Sequence, residues 1–121
     1  MGPKRILCTE DDPDSRDMLV LLLGNYGFEV VCATDGKHAL ELAKTEYFDL
    51  LLLDNWMPEL NGVEVTRAVR EFNTTIPILF YSGAASEADE RVALESGAQV
   101  YLKKPTGIET LVDEIKRWIR E

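Results

Sequence analysis

The chain has 121 residues, 45% of them hydrophobic, which is enough to form one hydrophobic core and therefore one domain. Its formal net charge of -9 disfavours binding to nucleic acid or to an anionic membrane and indicates cations or other proteins as partners. No apolar run approaches the roughly 20 residues of a membrane span, and no charged-then-apolar leader opens the chain. We therefore expect a cytoplasmic protein.

The two cysteines, Cys8 and Cys32, each lie inside an apolar run, ILCT and VVCA. They lack the paired spacing of a zinc or redox site. Because free cysteine is among the most buried residue types, we expect both to be buried, reduced thiols.

Short apolar runs rich in β-branched residues alternate with segments of helical spacing, which is typical of repeated βα units around a parallel sheet. The predicted strands are Arg5–Thr9, Glu29–Ala33, Leu50–Leu53, Ile76–Tyr81 and Gln99–Lys103. Three of these segments are nearly continuous hydrophobic runs, as expected of strands that are buried on both faces.

Helix signals fill the intervals between the predicted strands. The predicted helices are Pro13–Tyr26, Asp35 to about Lys44, Asn61-Gly62 to about Phe72, Ser86 to Gly97, and Thr106 to the C-terminus. Asp12 before a proline predicts the first N-cap, and capping boxes are predicted at the starts of the fourth and fifth helices. In the last helix the apolar residues fall on one stripe: Ile108, Leu111, Val112, Ile115, Trp118 and Ile119.

Five βα units of this size predict one α/β domain over residues 1–121, with a doubly wound parallel sheet in strand order 2-1-3-4-5 and flavodoxin-like topology. In such a sheet, ligands bind outside the carboxyl ends of the strands, beside the point where the winding reverses. We therefore look for functional residues directly after the predicted strands.

Polar residues end or follow four of the five predicted strands. They are Glu10 and Asp11, Asp54, Ser82, and Lys104. These four strands are neighbours in the predicted order, so the side chains should converge on one pocket. Carboxylates about 4 Å apart repel by roughly 4 kcal/mol at an effective dielectric of ~20, and a hard divalent cation such as Mg²⁺ relieves that repulsion.

Each residue also has an ordinary structural interpretation. The acidic run after the first strand is explained as a solvated turn before a helix, and we assign Asp12 to the helix cap. Asp54 can simply end a strand, Lys104 can be a surface lysine, and Ser82-Gly83 can be a turn. The ordinary interpretations require several coincidences, whereas one shared pocket explains the whole set.

The motifs ILCTEDD, LLLLDNWMP followed by Asn61-Gly62, ILFYSGA and YLKKP together resemble the receiver domain of two-component response regulators. The resemblance covers nearly the whole chain, and the ordered set of motifs is far more specific than any one of them. It implies that Glu10 and Asp11 bind Mg²⁺ (or Mn²⁺), that Asp54 is the phosphoacceptor and a metal ligand, and that Trp56 contributes its backbone carbonyl.

The same resemblance implies that Lys104 binds the phosphoryl group, and that Ser82 and Tyr101 form a conformational switch. Asp54 would attack phosphorus on a phosphohistidine of a sensor kinase or phosphotransfer protein, or on a small acyl phosphate. Ser82 would then move to the phosphoryl group and Tyr101 would turn inward, changing the surface of the fourth helix, fifth strand and fifth helix. That surface would contact a downstream protein, an output domain or a second copy of the chain. Tyr101 can alternatively be an edge aromatic that only packs.

Two positions depart from the commonest pattern of this family. Trp56 places a large aromatic beside the metal site, and Ala84 offers no polar group to orient an attacking water. Trp56 either shields the acyl phosphate from water or merely packs over the loop. Trp56 and Ala84 together predict slow self-dephosphorylation, whereas Gly83 is expected to keep access to Ser82 open. Thr106 is interpreted as a helix cap.

Three other functions use a related fold or related residues. A phosphatase of the haloacid dehalogenase type would place its nucleophile after the first strand as Asp-x-Asp, whereas this chain has Glu10-Asp11-Asp12 and would leave Asp54 unused. A flavodoxin-like cofactor site needs hydroxyls and amides after the first strand rather than carboxylates. A receiver that acts as an interaction module without phosphate stays open, and we expect a switch rather than a turnover enzyme.

Overall fold

The computed structural model describes residues 2–83 and 86–119. The strands are β1 (Arg5–Thr9), β2 (Glu29–Ala33), β3 (Leu50–Leu53), β4 (Ile78–Ser82) and β5 (Val100–Lys103). The helices are α1 (Pro13–Asn25), α2 (Gly36–Thr45), α3 (Gly62–Arg70), α4 (Glu87–Ser96) and α5 (Ile108–Trp118). The alternation predicted from the sequence is confirmed.

The strands form one parallel sheet in the order β2-β1-β3-β4-β5. The fold class predicted from the sequence, a flavodoxin-like doubly wound α/β sheet, is therefore confirmed. Because the chain winds from β1 outward to β2 and then returns to the other side of β1, the reversal point lies between β1 and β3. The loops after these two strands border that point.

The sheet separates two hydrophobic cores. One side packs on α2, α3 and α4 and includes Leu51, Leu53 and Phe80. The other packs on α1 and α5 and includes Leu50, Leu52 and Leu79. Successive residues of β3 alternate between the two cores, which is why this strand consists of apolar residues throughout.

Several predicted element boundaries shift by one or two residues. β4 begins at Ile78 rather than Ile76, since Pro77 has no N–H to donate, and it extends through Ser82. β5 begins at Val100 rather than Gln99, α1 ends at Asn25, and α3 ends at Arg70 rather than Phe72. No helix in the described part of the chain is long and apolar enough to cross a membrane.

The helix caps follow the predictions at α1 and α4 but not at α5. Asp12 accepts a hydrogen bond from the backbone N–H of Ser15, and Ser86 and Asp89 form the predicted capping box. The capping box predicted at Thr106 is wrong, because Gly107 is the N-cap of α5 and makes no side-chain cap hydrogen bond. The Thr106 hydroxyl donates instead to the backbone carbonyl of Lys103.

Candidate functional site

Residues that end or follow β1, β3, β4 and β5 meet at the carboxyl edge of the sheet. Glu10, Asp54 and Ser82 are all buried there. Lys104, which follows β5, extends to the same site, and its Nζ atom lies 3.5 Å from Oδ2 of Asp54. The convergence expected from the strand order is thus present for these four residues.

Asp54 makes three hydrogen bonds, two accepted by the same carboxylate oxygen and one donated by its backbone N–H. Oδ1 accepts from the Ser82 hydroxyl at 2.8 Å and from the backbone N–H of Trp56 at 3.0 Å. The backbone N–H of Asp54 donates to Oγ1 of Thr9 at 2.8 Å. The side chain is therefore fixed in orientation, and Oδ2 is the oxygen left facing Lys104.

Lys104 forms its closest contact with Glu10. The Nζ atom lies 2.5 Å from Oε1 of Glu10, whose side chain is only 5% exposed. The ammonium also lies over the ring of Tyr81, 5.2 Å from its centroid. Burial opposes the charge on Lys104, but the hydrogen bond and charge of Glu10, together with the charge of Asp54, raise its pKa overall.

The acidic run after β1 divides into three different environments. Glu10 is buried and paired with Lys104, whereas Asp11 is exposed at the rim. Asp12 caps α1, and its hydrogen bonds from the backbone N–H and the hydroxyl of Ser15 lower its pKa. The assignment of Asp12 to the cap is confirmed by this geometry.

The metal ligands expected from the sequence offer oxygen donors, which suit a hard divalent cation. In the described residues, however, no three His, Cys, Asp or Glu side chains are arranged to hold a metal ion. Glu10 is engaged by Lys104 and Asp11 is exposed. The donor chemistry therefore fits Mg²⁺, and the ligand cluster is not assembled in this arrangement.

Trp56 links the loop after β3 to the loop after β4. Its indole Nε1 donates to the backbone carbonyl of Gly83 at 3.2 Å, while 48% of the residue remains exposed. A Cβ placed on Gly83 would meet no atom within 4 Å, so packing does not require glycine at that position. Ala84, the other position linked to slow dephosphorylation, lies outside the described residues.

Ser82 and Tyr101 both lie inward in this structure. Ser82 is fully buried and already donates to Asp54. The Tyr101 ring stacks on Phe80 with centroids 5.4 Å apart, and its buried hydroxyl has no hydrogen-bond partner. Burial raises the pKa of Tyr101, and the nearby side chains of Ser82 and Asn55 partly oppose that shift. Tyr101 therefore already occupies an inward position without phosphorylation, and Ser82 already contacts the carboxylate that would carry the phosphoryl group.

Two site residues were not singled out by the sequence reasoning. Thr9, the last residue of β1, accepts the Asp54 N–H, and a hydroxyl just before the acidic run was the available signal. Gly62 packs directly against the ends of β3 and β4. A Cβ added there would lie 2.6 Å from the Phe80 ring and 2.9 Å from the Asp54 carbonyl oxygen. Its place eight residues after Asp54 was noted only as part of a motif.

A cleft of about 370 Å³ adjoins the site between α1 and the segment leading into α5. Glu10 and Lys104 form its polar end, and Met18, Leu22 and Ile108 contribute apolar surface. Met18 is 54% exposed, so this apolar surface is open to a partner.

Comparison with known proteins identifies one family. The family model described as response regulator receiver domain matches residues 6–116. The chain is 39% identical over 125 residues to the alkaline phosphatase synthesis transcriptional regulatory protein SphR of Synechococcus elongatus, covering 96% of this chain and 49% of SphR. It is also 39% identical over 116 residues to the transcriptional regulatory protein CpxR of Escherichia coli K12, with the same coverage of 96% and 49%. The chain thus spans about half the length of these curated relatives.

Solved structures give the same result. The CheY-like receiver domain protein of Methanospirillum hungatei superposes with a TM-score of 0.91 at 28% identity, covering 96% of this chain and 93% of that one. The receiver domain of the sensor histidine kinase PA1611 of Pseudomonas aeruginosa, solved with a magnesium ion coordinated in its active-site cleft, superposes with a TM-score of 0.90 at 29% identity, covering 98% of both chains.

Proposed function

The chain belongs to the response regulator receiver domain family, and on that premise we propose that it accepts a phosphoryl group on Asp54 and thereby switches a protein-binding surface. The observation that carries this proposal is the Asp54 carboxylate, buried between the Ser82 hydroxyl and the Lys104 ammonium at the carboxyl edge of the sheet. Response regulators act as switches, so we propose that this domain assists its own phosphorylation and dephosphorylation rather than turning over a substrate.

The geometry favours Oδ2 of Asp54 as the nucleophile. Oδ1 is occupied by the Ser82 hydroxyl and the Trp56 N–H, which hold the carboxylate plane in place. Attack by Oδ2 forms a new bond to phosphorus while the bond to the donor nitrogen or oxygen breaks, and that leaving atom keeps the electron pair. Lys104, already 3.5 Å from Oδ2, would neutralise charge on the phosphoryl oxygens.

We propose Mg²⁺, with Mn²⁺ as a chemically similar substitute, as the metal of this site. The residues that would hold it are Glu10, Asp11, Asp54 and the backbone carbonyl of Trp56, all of which offer oxygen ligands. A bound divalent cation would neutralise charge that the carboxylates and the phosphoryl oxygens bring together. Engagement of Glu10 by the metal requires that its contact with Lys104 loosen, which would free the ammonium for the phosphoryl group.

The switched surface proposed for this chain is formed by α4, β5 and α5. Tyr101 on β5 stacks on Phe80 of β4, and Lys103 on β5 forms an ion pair of 2.8 Å with Glu90 on α4. A change in Tyr101 would therefore reach α4 through Lys103, which lies two residues farther along β5. Fixing Ser82 on the phosphoryl group would favour the inward Tyr101.

Response regulators interact with sensor kinases, and we propose a sensor kinase or phosphotransfer protein as the phosphodonor of this chain. The cleft beside Lys104, with exposed Met18 at its edge, offers such a protein apolar contact next to Asp54. Curated relatives are named as transcriptional regulators and are about twice as long, so an output domain or a separate target protein would read the switch. The net charge of -9 argues against direct nucleic-acid binding by this domain.

We also propose that residues 1–121 form a single domain and that the protein is cytoplasmic. Two phosphorylated copies would pair with each other. The strongest support is for the single domain, because the two cores and the sheet include elements from Arg5 to Trp118.

The proposal is tested by incubating the chain with Mg²⁺ and acetyl phosphate and recording its intact mass. We expect one phosphoryl adduct, which is absent from an Asp54→Asn variant and from a magnesium-free sample. Asp113→Asn, an exposed carboxylate on α5, is the matched control and should be labelled like the unaltered chain.

A second arm uses beryllofluoride with Mg²⁺ and follows Trp56 fluorescence in a Trp118→Phe background. A fluorescence change without an acetyl phosphate adduct would identify a poor phosphodonor at a competent site. If neither experiment gives a signal, the proposal is wrong, and an interaction module that works without phosphate takes its place.

A further inference from the structure

The two cysteines of the chain are brought together by the pairing of β1 with β2. Cys8 and Cys32 are register partners in this parallel pair. Neighbouring strands lie about 4.8 Å apart, which is within the Cα separation of roughly 4.4–6.8 Å that a disulfide spans. Both side chains contribute to the core on the α1 and α5 side, so they project from the same face of the sheet.

The two thiols differ in their exposure. Cys8 is 1% exposed, whereas Cys32 is half-buried, because β2 is the edge strand of the sheet. An oxidant would therefore reach Cys32 first, with Cys8 next to it.

We propose that Cys8 and Cys32 form a redox-sensitive site that closes to a reversible disulfide between β1 and β2. The oxidant is a hydroperoxide. The Cys32 sulfur attacks its terminal oxygen, the O–O bond breaks, and Cys32 becomes a sulfenic acid while the peroxide leaves as water or an alcohol. The Cys8 sulfur then attacks the Cys32 sulfur, and the sulfenic oxygen leaves as water after taking up the Cys8 proton. Two thiols are oxidised for each peroxide reduced.

The position of the pair connects it to the rest of the domain. Cys8 is two residues before Glu10 on the same strand and loop, and Cys32 is followed by Ala33, whose carbonyl accepts the Glu10 N–H. A covalent link at this point would tie the edge strand to the segment that carries the acidic run. The proposal itself concerns the thiols and does not depend on phosphoryl transfer to Asp54.

The test exposes the fully reduced chain to one equivalent of hydrogen peroxide and then alkylates the remaining thiols in denaturant. We expect an intact mass lower by two hydrogens, loss of both alkylation sites, one peptide that joins Cys8 to Cys32 after digestion, and recovery of both thiols with dithiothreitol. The Asp54→Asn variant should form the disulfide to the same extent, so failure of phosphorylation and failure of this proposal are distinguishable.

Single serine variants check the order of events. Cys8→Ser should leave a Cys32 sulfenic acid that dimedone traps, and Cys32→Ser should lose the intramolecular product entirely. Oxidation confined to Cys32 in the unaltered chain with Cys8 still open to alkylation, or a disulfide between two chains, would overturn the proposal. The unaltered chain alone decides this, so the outcome stands even where a variant folds poorly.

Discussion

The ammonium of Lys104 lies 2.5 Å from Oε1 of Glu10, which makes Glu10 its closest partner. Oδ2 of Asp54 is farther away, at 3.5 Å. Because the Glu10 side chain is only 5% exposed, its charge depends on Lys104 for neutralisation. We therefore expect the lysine that would bind a phosphoryl group also to stabilise the fold.

Replacing Lys104 should destabilise the domain. Lys104→Met leaves the buried Glu10 carboxylate without its cation, and we expect the free energy of unfolding at neutral pH to fall by about 1–3 kcal/mol. Urea denaturation measures the loss. Lys103→Met is the matched control, since the side chain of Lys103 is 53% exposed in its ion pair with Glu90, and its loss should be clearly smaller. Equal losses in the two variants would contradict a structural role for Lys104.

The contribution of Lys104 should also depend on pH. Its pKa in the folded chain is raised from the ordinary value of 10.5, so the folded state holds this proton more tightly than the unfolded state. The stabilisation is complete below that ordinary value and is lost as pH rises through the raised one. The difference in unfolding free energy between the unaltered chain and Lys104→Met should be constant from about pH 8 to 10 and then shrink. A difference that grows in alkali would contradict the assigned pairing.

Gly62 should not tolerate a methyl group. An added Cβ would lie 2.6 Å from the Phe80 ring and 2.9 Å from the Asp54 carbonyl oxygen, so either α3 or the strand ends must shift. We expect Gly62→Ala to lower the free energy of unfolding by about 1–3 kcal/mol and to slow labelling of Asp54. Gly24→Ala in α1 is the matched control, because a Cβ there meets nothing within 4 Å. It should stabilise the domain by about 0.5–1 kcal/mol.

The Thr9 hydroxyl should matter through the backbone of Asp54. Thr9→Val keeps the shape of the side chain but removes the acceptor for the Asp54 N–H, so a buried donor loses its partner. We expect a loss of about 1–3 kcal/mol in unfolding free energy and slower phosphorylation by acetyl phosphate. Thr9→Ser, which keeps the hydroxyl, should retain most of both. If valine and serine behave alike, the hydrogen bond is not what positions Asp54.

Trp56 should lengthen the life of a phosphoryl group on Asp54. Its indole spans from the loop after β3 to the carbonyl of Gly83, and from there we expect it to shield a phosphoryl group from water. We expect Trp56→Asn to speed loss of the label about tenfold, equivalent to ~1.4 kcal/mol in the barrier. The measurement follows intact mass after removal of acetyl phosphate. Trp56→Phe keeps an aromatic ring but cannot make the hydrogen bond to Gly83, so it separates the two effects. Loss within seconds from the unaltered chain, or no acceleration in Trp56→Asn, would show that Trp56 only packs.

The sequence by itself determined the elements and their order. Runs such as Leu50–Leu53, and cap residues such as Asp12 and Ser86, act through neighbours a few residues away, so their effect can be predicted without knowing the fold. The set of polar residues at the strand ends followed from the same reasoning, because the strand order places those ends together. The prediction was wrong at Thr106. Its sequence pattern predicted a helix cap, but its hydroxyl donates to the backbone carbonyl of Lys103 instead.

Only the tertiary structure decided which of the assembled groups pair with each other. Lys104 and Glu10 are 94 residues apart in sequence, and nothing local to either predicts that Glu10 rather than Asp54 is the nearer partner. The same holds for Thr9 with Asp54, and for Cys8 with Cys32, which lack the paired sequence spacing of a redox site. Such partners are set by the register between strands, which depends on the packing of the whole sheet against both layers of helices rather than on any single segment.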